Sequence, residues 1–138
     1  ATVANGNALV VSGGNITAGK DISLTGTAKA GSGYGVSLTN GNMTASSGNI
    51  SVNGTGFDSN RGALNVNGGN FSAQNTVLEG TAGRNNKGTV LNGNINVTQG
   101  NLAVTGTVTQ TANSLDNNQF TGLLASGNIT VSQGSLNL

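Results

Sequence analysis

Residues 14–26 read GNITAGKDISLTG, and this stretch contains the pattern that decides the fold. Apolar and polar residues alternate twice within it, first at Ile16 and Ala18 and then at Ile22 and Leu24. Alternation with a period of two is typical of a β-strand that buries one face. Glycines before, between and after the two runs favour turns. The stretch therefore predicts two short strands joined by a tight corner.

The same pattern recurs along the chain. Gly-Asn followed by an apolar residue begins five units, at Gly14, Gly41, Gly69, Gly93 and Gly127, so that successive starts lie 27, 28, 24 and 34 residues apart. Such a period indicates a repeat architecture. The apolar residues after each Gly-Asn are expected to form a single internal file, which comprises Ile16, Met43, Phe71, Ile95 and Ile129.

Each unit contains two further apolar runs. The second run precedes a Gly-Thr pair, and its inward positions are expected at Ile22/Leu24, Ile50/Val52, Thr76/Leu78 and Leu102/Val104, with Thr76 as the polar exception. The third run precedes the next Gly-Asn, with inward positions expected at Leu9/Val11, Val36/Leu38, Leu64/Val66, Val90 and Leu124. Variation in unit length is expected almost entirely between the second and third runs.

Three short strands per unit predict an all-β solenoid. Each strand buries only two side chains before the chain turns, which is too few for a sandwich. If each unit is one coil, equivalent strands stack about 4.8 Å apart into three parallel sheets around a continuous interior. We therefore expect residues 1–138 to form a single parallel β-helix segment of about five coils.

The asparagine of each Gly-Asn pair is expected to lie at a corner. Glycine adopts the positive φ that a sharp bend needs, and stacked Asn amides can hydrogen-bond to one another along the rod. Such a ladder satisfies turn groups without charge. The alternative is that Gly-Asn is merely a favourable turn dipeptide.

The composition excludes several classes of protein. Charged residues make up 7% of the chain, with five Lys/Arg against four Asp/Glu, so a nucleic-acid partner is not expected. Cysteine and histidine are absent, which excludes disulfides, zinc sites and His-dependent triads. No apolar run approaches the length of a membrane-spanning helix, and no signal segment opens the sequence.

The stretches 14–26, 48–54 (GNISVNG) and 127–138 (GNITVSQGSLNL) resemble the repeats of filamentous-haemagglutinin-type adhesins and autotransporter passenger domains of Gram-negative bacteria. The resemblance covers essentially the whole chain and rests on composition and periodicity. It implies a right-handed parallel β-helix that acts as a spacer or adhesive rod, secreted or held at the cell surface, in virulence-related cell adhesion.

The same resemblance implies three kinds of partner. These are flanking β-helix coils of a longer parent chain, an outer-membrane secretion partner of the two-partner or autotransporter type, and a host-surface glycan or protein receptor. The amino-terminal secretion domain of such proteins has no signature here, so an interior section of a longer rod is expected.

An enzyme is not expected, although some β-helices bind or degrade polysaccharides. That chemistry needs clustered carboxylates, and the four acidic residues are Asp21, Asp58, Glu79 and Asp116. The predicted stacking brings no two of them to one face of a single coil. We therefore expect no catalytic residues, no metal site and no cofactor.

The basic residues suggest a ligand-binding edge. Arg61 and Lys87 each precede the Gly that opens a third strand, so stacked coils would superpose them, with Tyr34 one coil earlier and Arg84 nearby. This strip could hold a sulfated or sialylated glycan through charge-assisted hydrogen bonds and ring stacking. The alternative is that loop tips carry charge only for solubility and to discourage edge pairing.

Ice binding is a further alternative, because some solenoids display flat arrays of Thr-x-Thr. Thr25/Thr27 and Thr105/Thr107/Thr109/Thr111 fit that pattern. The intervening coils offer Asn53 and Glu79 at the aligned positions, so a two-column threonine lattice is not expected.

Overall fold

The computed structural model describes residues 1–4, 6–31, 33–59, 61–83, 87–109 and 121–138. In these ranges the regular structure is all β, without a helix. The strands are β1 (Thr2–Val3), β2 (Leu9–Ser12), β3 (Asn15–Ala18), β4 (Ile22–Gly31), β5 (Val36–Ala45), β6 (Ile50–Ser59), β7 (Leu64–Ala82), β8 (Lys87–Val108), β9 (Thr121–Ala125), β10 (Ile129–Val131) and β11 (Leu136–Asn137).

The strands stack in parallel, each on its equivalent in the neighbouring coil. A first sheet contains β3, β5, β7, β8 and β10. A second sheet contains β4, β6, β7, β8 and β11, with β1 beside β4. A third sheet contains β2, β5, β7, β8 and β9. Strands β5, β7 and β8 continue round corners and so belong to more than one sheet. The protein is a parallel β-helix, as the repeat predicts.

The interior is one continuous apolar cluster that runs along the axis of the helix. Its buried members are Ile22, Val36, Leu38, Met43, Ala45, Ile50, Val52, Leu64, Val66, Phe71, Ala73, Leu78, Leu91, Ile95, Val97, Leu102 and Val104. Burying one large apolar side chain contributes about 1.5–3 kcal/mol. No coil could supply such a core alone, so each coil depends on its neighbours for stability.

The predicted file of five apolar residues is only partly correct. Ile16 pairs with Met43 and Met43 with Phe71, but the neighbour of Phe71 in the next coil is Val97. Ile95 instead lies beside Gly69, which has no side chain, and Ile129 pairs with Ile95.

The physical reason for the difference is a slip of two residues. The two Gly-Asn motifs at residues 69 and 93 are 24 residues apart, whereas stacked residues of the first sheet, such as Asn70 and Asn96, are 26 apart. Irregularities in the pairing of β7 with β8 absorb the change. Because side chains alternate with a period of two, a slip of two residues keeps Ile95 and Val97 inside. Both are fully buried.

In the third sheet, the inward positions of the last two coils also differ from the prediction. Thr89 and Leu91, not Val90 alone, pair with the core residues Leu64 and Val66. Thr89 tolerates burial because its hydroxyl donates a hydrogen bond to the carbonyl of Thr105 at 2.7 Å.

The last row of that sheet shows the same one-residue difference. Leu123 stands over Thr89 and packs against the core, while Leu124 stands over Val90 and is 36% exposed. The apolar pairs Val90/Leu91 and Leu123/Leu124 made the sequence ambiguous, because either member of a pair could face inward.

Asparagine ladders run along two corners. In the first ladder the Nδ2 group of each Asn donates to the Oδ1 of the Asn one coil earlier, at 2.9 Å for Asn42 to Asn15, 2.7 Å for Asn70 to Asn42 and 3.0 Å for Asn96 to Asn70. The prediction is therefore correct for the first three Gly-Asn units. It is wrong for Asn94 and Asn128, which form a separate pair at 3.3 Å because of the slip.

The second ladder begins at Asp21 and was not predicted. The Asp21 carboxylate accepts from the backbone N–H of Asn49 at 2.8 Å, and the amides of Asn49, Asn75 and Asn101 continue the ladder. The Nδ2 group of Asn49 also donates to the same carboxylate, at 3.4 Å, because a carboxylate can only accept hydrogen bonds. Each later amide donates towards the earlier coil, which is the direction that this first bond requires.

Thr76 is the weak point of the core. It lies in the inward file between Ile50 and Leu102, it has no exposed surface, and its hydroxyl has no hydrogen-bond partner. A buried hydroxyl without a partner costs about 1–3 kcal/mol. The irregular residue of the second run is therefore an energetic defect at an interior position.

Replacing Thr76 by Val should raise the free energy of unfolding by about 1–3 kcal/mol, because the methyl group that replaces the hydroxyl needs no partner. Urea unfolding followed by circular dichroism measures the change. Thr81→Val, on the outer face of the same strand, serves as the control and should change stability by less than about 0.5 kcal/mol. Destabilisation by Thr76→Val alone would show that the hydroxyl is useful to the fold.

Candidate functional site

Tyr34, Arg61 and Lys87 lie on the lateral edge, which we define as the described residues between the strands of the second sheet and those of the third: residues 33–35, 61–63, 83 and 87–88. Within the second sheet, a glycine of each coil lies against a residue at the start of the third sheet. The close pairs are Gly26 with Gly35, Gly54 with Ala63, Gly80 with Gly88, and Gly106 with Gly122. A Cβ at any of these four second-sheet glycines would collide with backbone atoms. The glycines therefore let the second and third sheets approach each other closely.

Tyr34 is held at its backbone by two residues of the coil before. Its N–H donates to Oδ1 of Asn7 at 2.8 Å, and its carbonyl accepts from the N–H of Ala8 at 3.0 Å. The side chain is half-buried. The tyrosine is therefore fixed at its backbone while part of its side chain remains accessible.

The stacked neighbour of Tyr34 and Lys87 is Gly62, not Arg61. In the third sheet, Leu64 pairs with Val36 of the coil before and with Thr89 of the coil after. Two residues earlier in each strand, the same pairing aligns Tyr34, Gly62 and Lys87. The N–H of Ala63 donates to the carbonyl of Lys87 at 3.0 Å, as that alignment requires. The expected superposition of Arg61 on Lys87 is thus wrong by one residue, because Arg61 precedes a Gly-Ala pair and Lys87 a Gly-Thr pair whose glycines are not equivalent.

Gly62 brings Tyr34 and Lys87 close to each other. An ideal Cβ on Gly62 would lie 3.5 Å from Cε1 of Tyr34 and 3.5 Å from Cβ of Lys87. The tyrosine ring and the lysine stem therefore flank the space that a Gly62 side chain would fill. We call Tyr34, Gly62 and Lys87 the edge site.

The other predicted residues of the strip are placed differently. Arg61 is exposed and lies one position away from the file of the edge site. Arg61 is therefore not a member of that file. Arg84 lies outside the described residues.

The edge site joins an aromatic ring with a cationic side chain. A lysine ammonium donates charge-assisted hydrogen bonds to sulfate or carboxylate, and a tyrosine ring offers an apolar face and a hydroxyl. These two groups together suit the binding of an anionic, partly apolar ligand. The edge site itself contains no carboxylate.

The acidic residues that the structure describes are far apart in the register. Asp21 belongs to a column with Asn49, whereas Glu79 belongs to a column with Asn53 four positions further along the strand. The side chain of Asp58 and the whole of Asp116 lie outside the described residues. No group of three metal-ligating side chains occurs within the described part of the chain. No helix there is long and apolar enough to cross a membrane.

The outer face of the second sheet carries one threonine column. Thr27, Thr55, Thr81 and Thr107 stack in register, and Thr2 precedes Thr27. The neighbouring column contains Thr25, Asn53, Glu79 and Thr105. The described coils therefore lack the paired threonine columns that an ice-binding lattice needs.

An exposed aromatic residue, Phe57, lies outside the predicted strip and is 53% exposed in β6. A signal was present in the sequence, since the alternation that buries Ile50 and Val52 places odd-numbered residues of β6 outside. The Gly-Thr pair at residues 54 and 55 predicts that the strand ends before Phe57, whereas β6 continues to Ser59.

Replacing Gly62 by Ala tests the packing of the edge site. The new Cβ would lie 2.8 Å from the carbonyl oxygen of Lys87, and Gly62 has a φ of +129°, so we expect a loss of about 1–3 kcal/mol in the free energy of unfolding. Gly19→Ala is the matched control, because its Cβ would meet nothing within 4 Å. Equal urea midpoints for the two variants would contradict the described packing.

Comparisons with protein-family models, with curated proteins and with solved structures find no match. The fold and the geometry of the lateral edge are therefore the observations from which a function is inferred.

Proposed function

We propose that this chain is a rigid β-helical segment of a secreted or cell-surface bacterial adhesin, and that its edge site contacts a sulfated or sialylated host glycan. The observation that carries the proposal is the continuous stack of coils with an aromatic and a cationic side chain together on its lateral edge. In this proposal the rod positions the edge at a distance from the cell, and the edge makes the contact.

The stack of coils supports the role of a spacer. Backbone hydrogen bonds between parallel strands run along the axis in all three sheets, and the apolar cluster is continuous beneath them. Bending such a rod would open hydrogen bonds and core contacts in several coils together. The asparagine ladders add side-chain bonds in the same direction. This rigidity needs neither disulfides nor metals, which suits a chain without cysteine.

The charge distribution supports contact through the edge. The chain has only five basic residues, and one of them, Lys87, belongs to the edge site. In so neutral a chain, the charge of this lysine is the electrostatic feature that an anionic ligand would meet at the edge site. Partners in this proposal are the glycan, or a protein that carries it, flanking coils of a parent rod, and an outer-membrane secretion partner.

Binding to immobilised heparin and to sialylated oligosaccharides tests the contact. We expect Lys87→Ala to weaken binding at least about tenfold, since charge-assisted hydrogen bonds contribute about 1.5–3 kcal/mol. Tyr34→Ala should weaken it by a smaller factor. Higher salt should weaken wild-type binding, because the contact is electrostatic. Surface plasmon resonance at two salt concentrations measures these effects.

Lys20→Ala provides the matched control, because it removes the same charge from an exposed corner away from the edge. Its affinity should stay within about twofold of the wild type, below the effect of a charged contact. Equal losses in Lys20→Ala and Lys87→Ala would indicate non-specific attraction and would contradict the edge site. An absence of binding to every anionic glycan would leave only the spacer role.

A further inference from the structure

The outer face of the second sheet has features of a ligand platform that the edge site does not use. Phe57 stands in this face two positions beyond Thr55 on the same strand. The register places Lys29 beside it in the preceding coil and Gly83 beside it in the following coil. An aromatic side chain therefore lies between a lysine and a position without a side chain.

Gly83 keeps one side of Phe57 open. A Cβ on Gly83 would collide with the carbonyl oxygen of Phe57, and the N–H of Gly83 donates to the carbonyl of Gly56 at 2.7 Å. The close approach of the two strands thus restricts this position to glycine. Phe57 consequently has no side-chain neighbour in the register on that side, and 53% of its surface is exposed.

Hydroxyl groups border the aromatic residue at a regular spacing. Thr27, Thr55 and Thr81 lie in successive coils, about 4.8 Å apart, in the column next to that of Phe57. Each hydroxyl can donate and accept a hydrogen bond. The backbone of the stacked coils holds them in position, so a ligand would meet a rigid array.

The charges of this face indicate what kind of ligand fits. In its described part, the columns of Thr25, Thr27 and Lys29 contribute one cationic side chain, Lys29, and one anionic side chain, Glu79. These side-chain charges balance, so the columns do not select a strongly charged ligand. A neutral sugar ring offers an apolar C–H face that stacks on an aromatic ring and a rim of hydroxyls that bond to threonine, lysine and carboxylate groups.

We infer that the outer face of the second sheet binds a neutral, unbranched polysaccharide, with one sugar ring stacked on Phe57 and neighbouring hydroxyls bonded to Thr27, Thr55, Thr81 and Lys29. The site is separate from the edge site in residues and in ligand chemistry. It gives the rod a second contact that depends on stacking and neutral hydrogen bonds and is therefore less sensitive to salt.

Isothermal titration calorimetry with neutral linear oligosaccharides of glucose, mannose and xylose tests this inference. At least one series should bind, Phe57→Ala should weaken that binding about tenfold or more, and Thr55→Val, which removes one hydroxyl, should weaken it by a smaller factor. Val10→Ala is the control for loss of an exposed apolar side chain, since Val10 is also 53% exposed but lies in β2. It should bind as the wild type does.

The two binding sites are distinguished by reciprocal variants. Lys87→Ala should retain neutral oligosaccharide binding, and Phe57→Ala should retain any heparin binding, with circular dichroism confirming that each variant is folded. Failure of all neutral oligosaccharides to bind the wild type would overturn the inference. Unchanged affinity in Phe57→Ala, or equal losses in Phe57→Ala and Val10→Ala, would overturn it as well.

Discussion

The register between successive coils is the constraint on which the rest of the structure depends. Hydrogen bonds between parallel strands hold each residue beside its equivalent in the preceding coil. Because of this alignment, the two apolar residues of each strand join those of the neighbouring strands in a continuous interior. The same alignment stacks Asn on Asn at the corners, where a single exposed amide pair would contribute little. Core, ladders and surface columns are all consequences of one repeated backbone geometry.

Local patterns in the sequence predict the class of fold and most of the interior. Alternation alone identifies Met43, Val52 and Leu64 as inward, because period two is a property of each strand. Alternation does not determine which residue of one coil pairs with which residue of the next. Ile95 shows the limit: its Gly-Asn motif predicts that it follows Phe71, but backbone pairing places it beside Gly69. Motif spacing and structural register differ there by two residues, and only long-range pairing reveals the difference.

The candidate site was harder to predict than the core for the same reason. Arg61 and Lys87 both precede a glycine, yet a one-residue difference in register places Gly62, not Arg61, in the file with Tyr34 and Lys87. A core position can be recognised from one strand, whereas a surface site needs the correct alignment of two or three. The Gly-Thr pair predicts that the strand ends before Phe57, whereas the strand continues beyond Gly54. A surface site on this rod combines residues of adjacent coils, so identifying it requires the pairing of those coils.

Disulfide trapping of a stacked surface pair tests the central claim most directly. Because the chain has no native cysteine, only the introduced cysteines can form a disulfide. Thr55 and Thr81 are partners in adjacent coils, so their Cα atoms are about 4.8 Å apart, within the range for a disulfide, whereas Thr55 and Thr107 are two coils, or about 10 Å, apart. Under mild oxidation the double variant T55C/T81C should close an intramolecular disulfide quantitatively, and T55C/T107C should not. Equal yields from the two variants, or no bond in T55C/T81C, would contradict the stacking of equivalent residues.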